Sequence, residues 1–178
     1  MAYLSSFEIL AENLVPPVIL PPSPQNPFAI QGYFVQVSLV TGSSALFNVI
    51  FQETTDFKQG AGQSVLQAQI IDAGGNVNIY DGFFASTGRG FLSQKIGAGQ
   101  TLIFGVQALP GLSEIEAAAP QGGTGWRGTV RIEGQSPGQL IATPTQRLVY
   151  YNGNDITKAD VIDAVVYSVP TFSGGTSI

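Results

Sequence analysis

The sequence predicts an all-β protein, an antiparallel β-sandwich of jelly-roll-like or similar form. Three observations predict this class. From residue 28 onward, short runs alternate apolar and polar residues with a period of two. Eight such runs follow one another at roughly 8 to 12 residues, divided by glycine-rich turns, which is typical of sandwiches and barrels. Only one segment, near the C-terminus, places apolar residues at helical spacing.

The first 27 residues differ from the rest, so we divide the chain into a proline-rich N-terminal arm (1–27) and a β-sandwich domain (28–178). Residues 1–13 predict a short helix or an irregular segment. Residues 14–24 contain five prolines and five aliphatic residues. Proline fixes φ and cannot donate to a ladder, which predicts an extended arm outside any central strand. Its apolar side chains are costly to leave in water, so we expect them to dock on their own domain or on a neighbouring subunit. These candidate assembly residues are Leu14, Val15, Val18, Ile19 and Leu20.

The sandwich strands follow in chain order. Gly74 and Gly75 predict a tight hairpin, because two glycines accept the positive φ values of a primed turn. Polar, glycine-bearing residues predict loops at 56–63 and 110–125. The predicted strands are 33–39, 47–52, 65–73, 76–84, 91–96, 101–109, 126–133 and 139–151.

The C-terminal region combines two opposing patterns. Thr157 and Asp160 have the spacing of a capping box, and Ile162, Val165 and Val166 recur at helical spacing. The β-branched residues in the same run favour a strand. We therefore expect at most one short C-terminal helix, a helical turn at 157–164 that leads into a strand.

Charge is scarce: 11% of the residues are charged, against about 25% in an ordinary soluble domain. The net charge is −5, and the seven basic residues are mostly isolated. Nucleic-acid binding needs a clustered basic face, so we expect none. We also expect no membrane insertion, because no apolar stretch reaches the roughly 18 to 20 residues of a spanning helix. The N-terminus lacks the basic region of a secretory signal, and we expect no signal peptide.

The chain contains neither histidine nor cysteine. The commonest general base and the thiol nucleophile are therefore missing, and we expect no enzyme, no cofactor and no metal site. Two acidic clusters allow an oxygen-ligand calcium site: Asp72 and Asp81 with Asn76 and Asn78, and the segment 152–160. The simpler interpretation is that these residues form turns.

Together these features predict a non-enzymatic structural protein that self-associates. It would be a subunit or decoration protein of a virion, sheath or surface filament, with copies of itself and other shell or surface proteins as partners, at a virion or cell surface. The alternative is a carbohydrate-binding β-sandwich module that stacks exposed aromatic residues on a glycan. Its candidates are Trp126, Tyr150 and Tyr151, although Trp126 equally fits a core anchor at the start of a strand.

Overall fold

We describe the protein from a computed structural model, for residues 2–15, 19, 26–54, 66–81, 89–108, 126–134, 139–153, 155–156 and 158–173. These residues contain ten β-strands and no helix. The strands are β1 (Ala2–Asn13), β2 (Phe28–Leu39), β3 (Ser44–Glu53), β4 (Leu66–Ile71), β5 (Val77–Asp81), β6 (Arg89–Gly97), β7 (Thr101–Ala108), β8 (Trp126–Gly134), β9 (Leu140–Tyr151) and β10 (Val161–Ser168).

The ten strands form one antiparallel sheet that curls into a half-barrel. One half has the order β1-β8-β3-β6. In the other half, β2 pairs with β9 along one side, and β10 follows β9. Along its other side β2 pairs with β7, followed by β4 and β5. The all-β antiparallel prediction is confirmed. The jelly-roll-like sandwich is not confirmed, because β1 hydrogen-bonds into both halves and joins them.

The first strand is the structural link between the halves. Its residues from Ala2 to Ile9 pair with β8, and those from Leu10 to Asn13 pair with β2. At the change of partner, the Glu8 carbonyl accepts hydrogen bonds from the side-chain amides of Gln31 (3.1 Å) and Gln146 (3.3 Å). A carbonyl that would otherwise lose its ladder partner is thereby satisfied.

The expectation of a helix or irregular segment at 1–13 is wrong. Phe7, Ile9 and Ala11 are buried at alternate positions, so the segment has the period of a strand. Glu8 and Glu12 occupy the intervening positions and are half-buried.

The core lies on the inner side of the curl, where rings from the two halves meet. Phe7 and Phe51 pack against Tyr33 with ring centroids 6.0 and 6.1 Å apart. Phe47 meets Phe104 edge to face at 5.5 Å. At the bulge in β1, the buried Ser5 hydroxyl hydrogen-bonds the Tyr33 hydroxyl at 2.6 Å. Packing between the halves is thus aromatic, with its buried hydroxyls paired.

All eight predicted strand positions contain a strand. The hairpin at Gly74 and Gly75 is confirmed, but its turn has three residues instead of two. Asp72 N–H donates to the Asn76 carbonyl (3.0 Å), and only Gly75 has a positive φ, of 84°. This is a type I turn followed by a left-handed glycine, a common hairpin connection. The predicted loops 110–125 and 56–63 lie outside the described residues.

The C-terminal helix is absent from the described residues. Only a turn precedes β10, in which Lys158 and Ala159 N–H groups donate to the Asp155 carbonyl. From Val161 the chain is a strand paired with β9, so the β-branched composition determined the outcome rather than the helical spacing. No helix in the described part of the chain has the length and apolar character needed to span a membrane.

Candidate assembly interface

β10 is an outer strand of the sheet and is apolar and exposed along its length, as the shorter outer strand β5 is at Val77, Ile79 and Tyr80. Among the described strands β10 pairs only with β9, so no other described strand lies along its second edge. All eight residues are exposed, and Ile162 and Val166 retain 60% and 64% of their accessible surface. An apolar edge strand of this length is a template for pairing with another chain.

Hydrogen bonding to β9 determines which backbone groups of β10 face outward. Val169 N–H donates to the Pro144 carbonyl at 3.1 Å, directly after the strand ends. In an antiparallel ladder, bonded and non-bonded pairs alternate. The N–H and C=O groups of Ala164, Val166 and Ser168 therefore point away from β9. These three residues form what we call the β10 edge.

Protection of the β10 edge is limited. Natural edge strands are usually blunted by lysine, proline or inward charges. This strand has neither lysine nor proline, and its one charged residue is Asp163. The Asp163 carboxylate accepts the Ala164 N–H at 2.8 Å and so occupies one outward donor. The remaining outward backbone groups of the edge are the Ala164 carbonyl and both groups of Val166 and Ser168.

Side-chain hydrogen bonds also connect β10 to β2 and β1. The Tyr167 hydroxyl donates to the Gln31 side-chain carbonyl at 3.1 Å, and the Gln31 amide donates to the Glu8 carbonyl. Partial burial, followed by the charge of Glu8 and the neighbouring Tyr150, raises the pKa of Tyr167. The edge is therefore held in place by β2 and β1 while its outer side stays accessible.

The predicted arm residues are only partly described. Leu14 and Ile19 are exposed, at 45% and 73%, and Val15 is half-buried. Val18 and Leu20 lie outside the described residues. The start of the arm is fixed to the sheet, since Leu14 N–H donates to the Pro27 carbonyl and the Asn26 amide donates to that of Val15. Their role in assembly stays a prediction.

The three aromatic residues predicted for glycan stacking do not form one surface. Trp126 is buried at 1%, opposite Ile9, so its ring is a core anchor. Tyr150 and Tyr151 are half-buried neighbours on β9, which point to opposite faces of the sheet. Tyr151 packs against the core cluster.

Hydrogen bonds explain both candidate calcium sites. The Asp72 carboxylate accepts from the Gly74 and Asn76 N–H groups and from the Asn76 side-chain amide, at 2.8 to 2.9 Å. These bonds, led by that of the Asn76 side chain, lower the pKa of Asp72. Asp81 lies opposite Gln67, at the far end of the β4–β5 ladder from the turn. In the second cluster, Asp160 N–H donates to the Asn152 side chain at 2.9 Å. No group of metal-ligating residues occurs in the part of the chain that the structure describes.

Sequence reasoning placed no site on β10. The signal was the β-branched composition of residues 161–167, which favours a strand and includes neither lysine nor proline. The edge position of β10 still depends on the pairing of β9 with β2, which alternation alone does not predict.

Comparison with known proteins adds little. No family model matches the chain, and no curated protein matches it. Among solved structures, the chain is similar to a family 35 carbohydrate-binding module from an environmental isolate, at 10% identity and a TM-score of 0.30. That alignment covers 66% of this chain and 70% of the module. A similarity of this size carries no argument about fold or function.

Proposed function

We propose that this chain is a non-enzymatic structural protein that self-associates, as a subunit or decoration protein of a virion, sheath or surface filament. Its assembly unit would be a sandwich in which the two sheet halves pack through the Phe7, Tyr33 and Phe51 rings. The single observation that carries the proposal is the β10 edge, which lies on an exposed apolar strand and has no partner strand among the described ones.

The energetics favour burial of this strand. Each fully buried Val or Ile side chain contributes about 1.5 to 3 kcal/mol. Ile162, Val165 and Val166 are all more than 40% exposed in the isolated chain. Outward backbone groups would exchange water for partners in a neighbouring strand, and one charge on β10 offers little repulsion. The low overall charge of the protein supports association in the same way.

Size-exclusion chromatography with light scattering tests the proposal over a range of concentrations. We expect the wild-type mass to exceed the 18.7 kDa of one chain. Val166→Lys should return the protein to 18.7 kDa, because a lysine on the edge opposes strand addition. Ser6→Lys is the matched control, since Ser6 is exposed and lies opposite Thr129 of β8, on a strand other than β10. A wild-type protein that stays monomeric at high concentration would disprove self-association.

Carbohydrate binding is a second candidate function, favoured by a different set of aromatic residues. The register aligns Phe91, Ile50, Arg131 and Tyr3 in one row across β6, β3, β8 and β1. Phe91 and Tyr3 are exposed at the two ends of this row. Exposed rings beside hydrogen-bonding groups suit stacking on sugar rings. Binding on a glycan array that is lost in Phe91→Ala and Tyr3→Ala would support this function; an array without binding would reject it.

A further inference from the structure

We infer that the assembly is head-to-tail: β10 of one copy adds to β6 of the next copy. This inference rests on the proposed self-association and names the surface that receives β10. Along the path β10-β9-β2-β1-β8-β3-β6, the two strands are opposite ends of the sheet. Among the described strands, β6 pairs only with β3, as β10 pairs only with β9.

The outward backbone groups of β6 follow from its ladder with β3. Ala98 N–H donates to the Ser43 carbonyl at 3.0 Å, next to the pair Gly97 and Ser44. Alternation then directs the backbone groups of Phe91, Ser93 and Lys95 away from β3. Gly97 has the same phase, and its outward N–H is taken up by the Gln100 side chain at 2.8 Å. That bond independently confirms the phase.

The β6 and β10 edges match in spacing. Each presents three consecutive outward residues at every second position, Phe91 to Lys95 on β6 and Ala164 to Ser168 on β10. An antiparallel junction of these two sets would form about five backbone hydrogen bonds, because the Ala164 N–H already donates to the Asp163 carboxylate. It would also bring exposed Phe91 beside the exposed aliphatic side chains of β10. At its border each edge has one outward N–H closed by a side chain, from Gln100 and from Asp163.

Charge selects β6 over the other edges as the partner of β10. The β6 strand carries Arg89 and Lys95 and no acid, whereas β10 carries Asp163 and no base. A pairing of β10 with a second β10, or with the third edge strand β5, which ends in Asp81, would join two strands that each carry an acid and no base. The net charges of β6 and β10 are opposite, which favours their encounter over these pairings.

A junction between two different edges has a structural consequence. Because each copy would donate β10 and receive on β6, the interface is heterologous. Such interfaces give rings when the rotation closes and open polymers when it does not. A β10–β10 junction would instead stop at a dimer through that surface.

Two edge-blocking variants test the inference. Val166→Pro removes the outward N–H of the β10 edge, and Ser93→Pro removes that of the β6 edge; neither N–H takes part in the ladder inside the chain. We expect each variant alone to be monomeric by light scattering. Mixed in equal amounts, the variants should form a dimer and nothing larger. The Ser93→Pro chain can still donate its β10, and the Val166→Pro chain can still receive it on β6. The other two edges of that dimer are blocked by proline.

The other outcomes are distinct. If the wild type assembles and Ser93→Pro assembles equally well, β6 is not the receiving edge and the inference fails while self-association stands. If the wild type is monomeric, the head-to-tail inference and the proposed self-association both fail. Thermal melting checks that the proline variants fold. If they do not, two charge substitutions test the same junction. In the proposed register Ala164 lies opposite Lys95, so Ala164→Lys should weaken assembly at least tenfold by like-charge repulsion, and adding Lys95→Glu in the same chain should restore it. A double variant as weak as Ala164→Lys would overturn the inference.

Discussion

The two terminal strands of this sheet, β1 and β10, have opposite composition and opposite burial. β1 contains two glutamates and three further polar residues, yet it lies between β2 and β8, with Phe7 and Ile9 in the core. β10 has four β-branched residues and one charge, yet every residue is exposed. Hydrophobicity therefore does not determine which strand is central. Burial follows from whether one face of the strand packs on the core, as that of β1 does through Phe7 and Ile9 and neither face of β10 does.

This difference suggests distinct roles for the two ends of the chain. The polar residues of β1 are satisfied within the molecule, as the Ser5–Tyr33 contact and the Glu8 carbonyl show. The apolar residues of β10 have no such cover from the described residues. Residues 1–24 include β1, which pairs with both halves of the sheet. Deleting them would disrupt the fold, so such a deletion cannot test the role of the arm in assembly. Leu14→Ser and Ile19→Ser, at exposed positions, are the suitable variants.

The largest expected difference in stability is between two Ile→Ala variants, one on β1 and one on β10. Ile9 is fully buried and Ile162 is 60% exposed. Ile9→Ala should lower the free energy of unfolding by about 2 to 5 kcal/mol, because it leaves a cavity in the core. Ile162→Ala should change it by less than about 0.5 kcal/mol. Urea unfolding at a concentration where the protein is monomeric measures both. Equal losses would mean that β10 is covered within the chain.

The strand that pairs with β1 along Ala2–Ile9, β8, contains a glycine in close contact with the backbone of β3. A Cβ on Gly128 of β8 would overlap the Gln52 carbonyl and lie 2.8 Å from the Phe7 ring. Gly128→Ala should therefore cost about 1 to 3 kcal/mol. Gly134→Ala in the same strand is the control, since its Cβ would come no closer than 3.3 Å to the Phe47 Cβ. Thermal melting of the two variants should differ by several degrees; similar melting would contradict the close contact of β8 with β3.

Two tyrosines allow a smaller test. Tyr33→Phe leaves the buried Ser5 hydroxyl without its partner and should cost about 1 to 3 kcal/mol. Tyr167→Phe removes a partly exposed bond and should cost less than about 1 kcal/mol. Burial raises the pKa of Tyr33 well above its ordinary value.

The shift of Tyr33 also gives a pH dependence. Above about pH 10 the unfolded tyrosine loses its proton while the folded one retains it, so stability should fall as pH rises. Unfolding free energies at pH 8 and pH 11 would show this fall, and Tyr33→Phe should reduce it. An unchanged fall in the variant would assign the alkaline loss to other groups.

The smallest expected effect concerns the end of β1. Burial, and secondarily the charge of Glu8, raises the pKa of Glu12. A raised carboxyl pKa stabilises the fold below the unfolded value, and this contribution is lost as pH rises through the folded value. Glu12→Gln should therefore raise stability at pH 7 by a few tenths of a kcal/mol, since the group is partly solvated. At pH 4 the gain should shrink. A loss at pH 7 would show that the carboxylate is held by a favourable contact.

Local sequence determined the elements of the sheet that alternate cleanly. All eight predicted strands are present, because side chains of a strand with one buried face must repeat every two residues. The hairpin at Gly75 follows from the positive φ that glycine permits. The buried position of Trp126 was one of two interpretations of its strand, in phase with Val130 and Ile132.

Tertiary structure decided what no local pattern contains. Residues 2–13 are a strand because β8 and β2 offer ladders along its two sides, and their partner residues lie far along the chain. Residues 161–168 extend because β9 provides a template, which outweighs their helical spacing. The β10 and β6 edges are edges only by the order of strands in the sheet. Strand order depends on long-range pairing, and alternation predicts that a strand exists without predicting its neighbour.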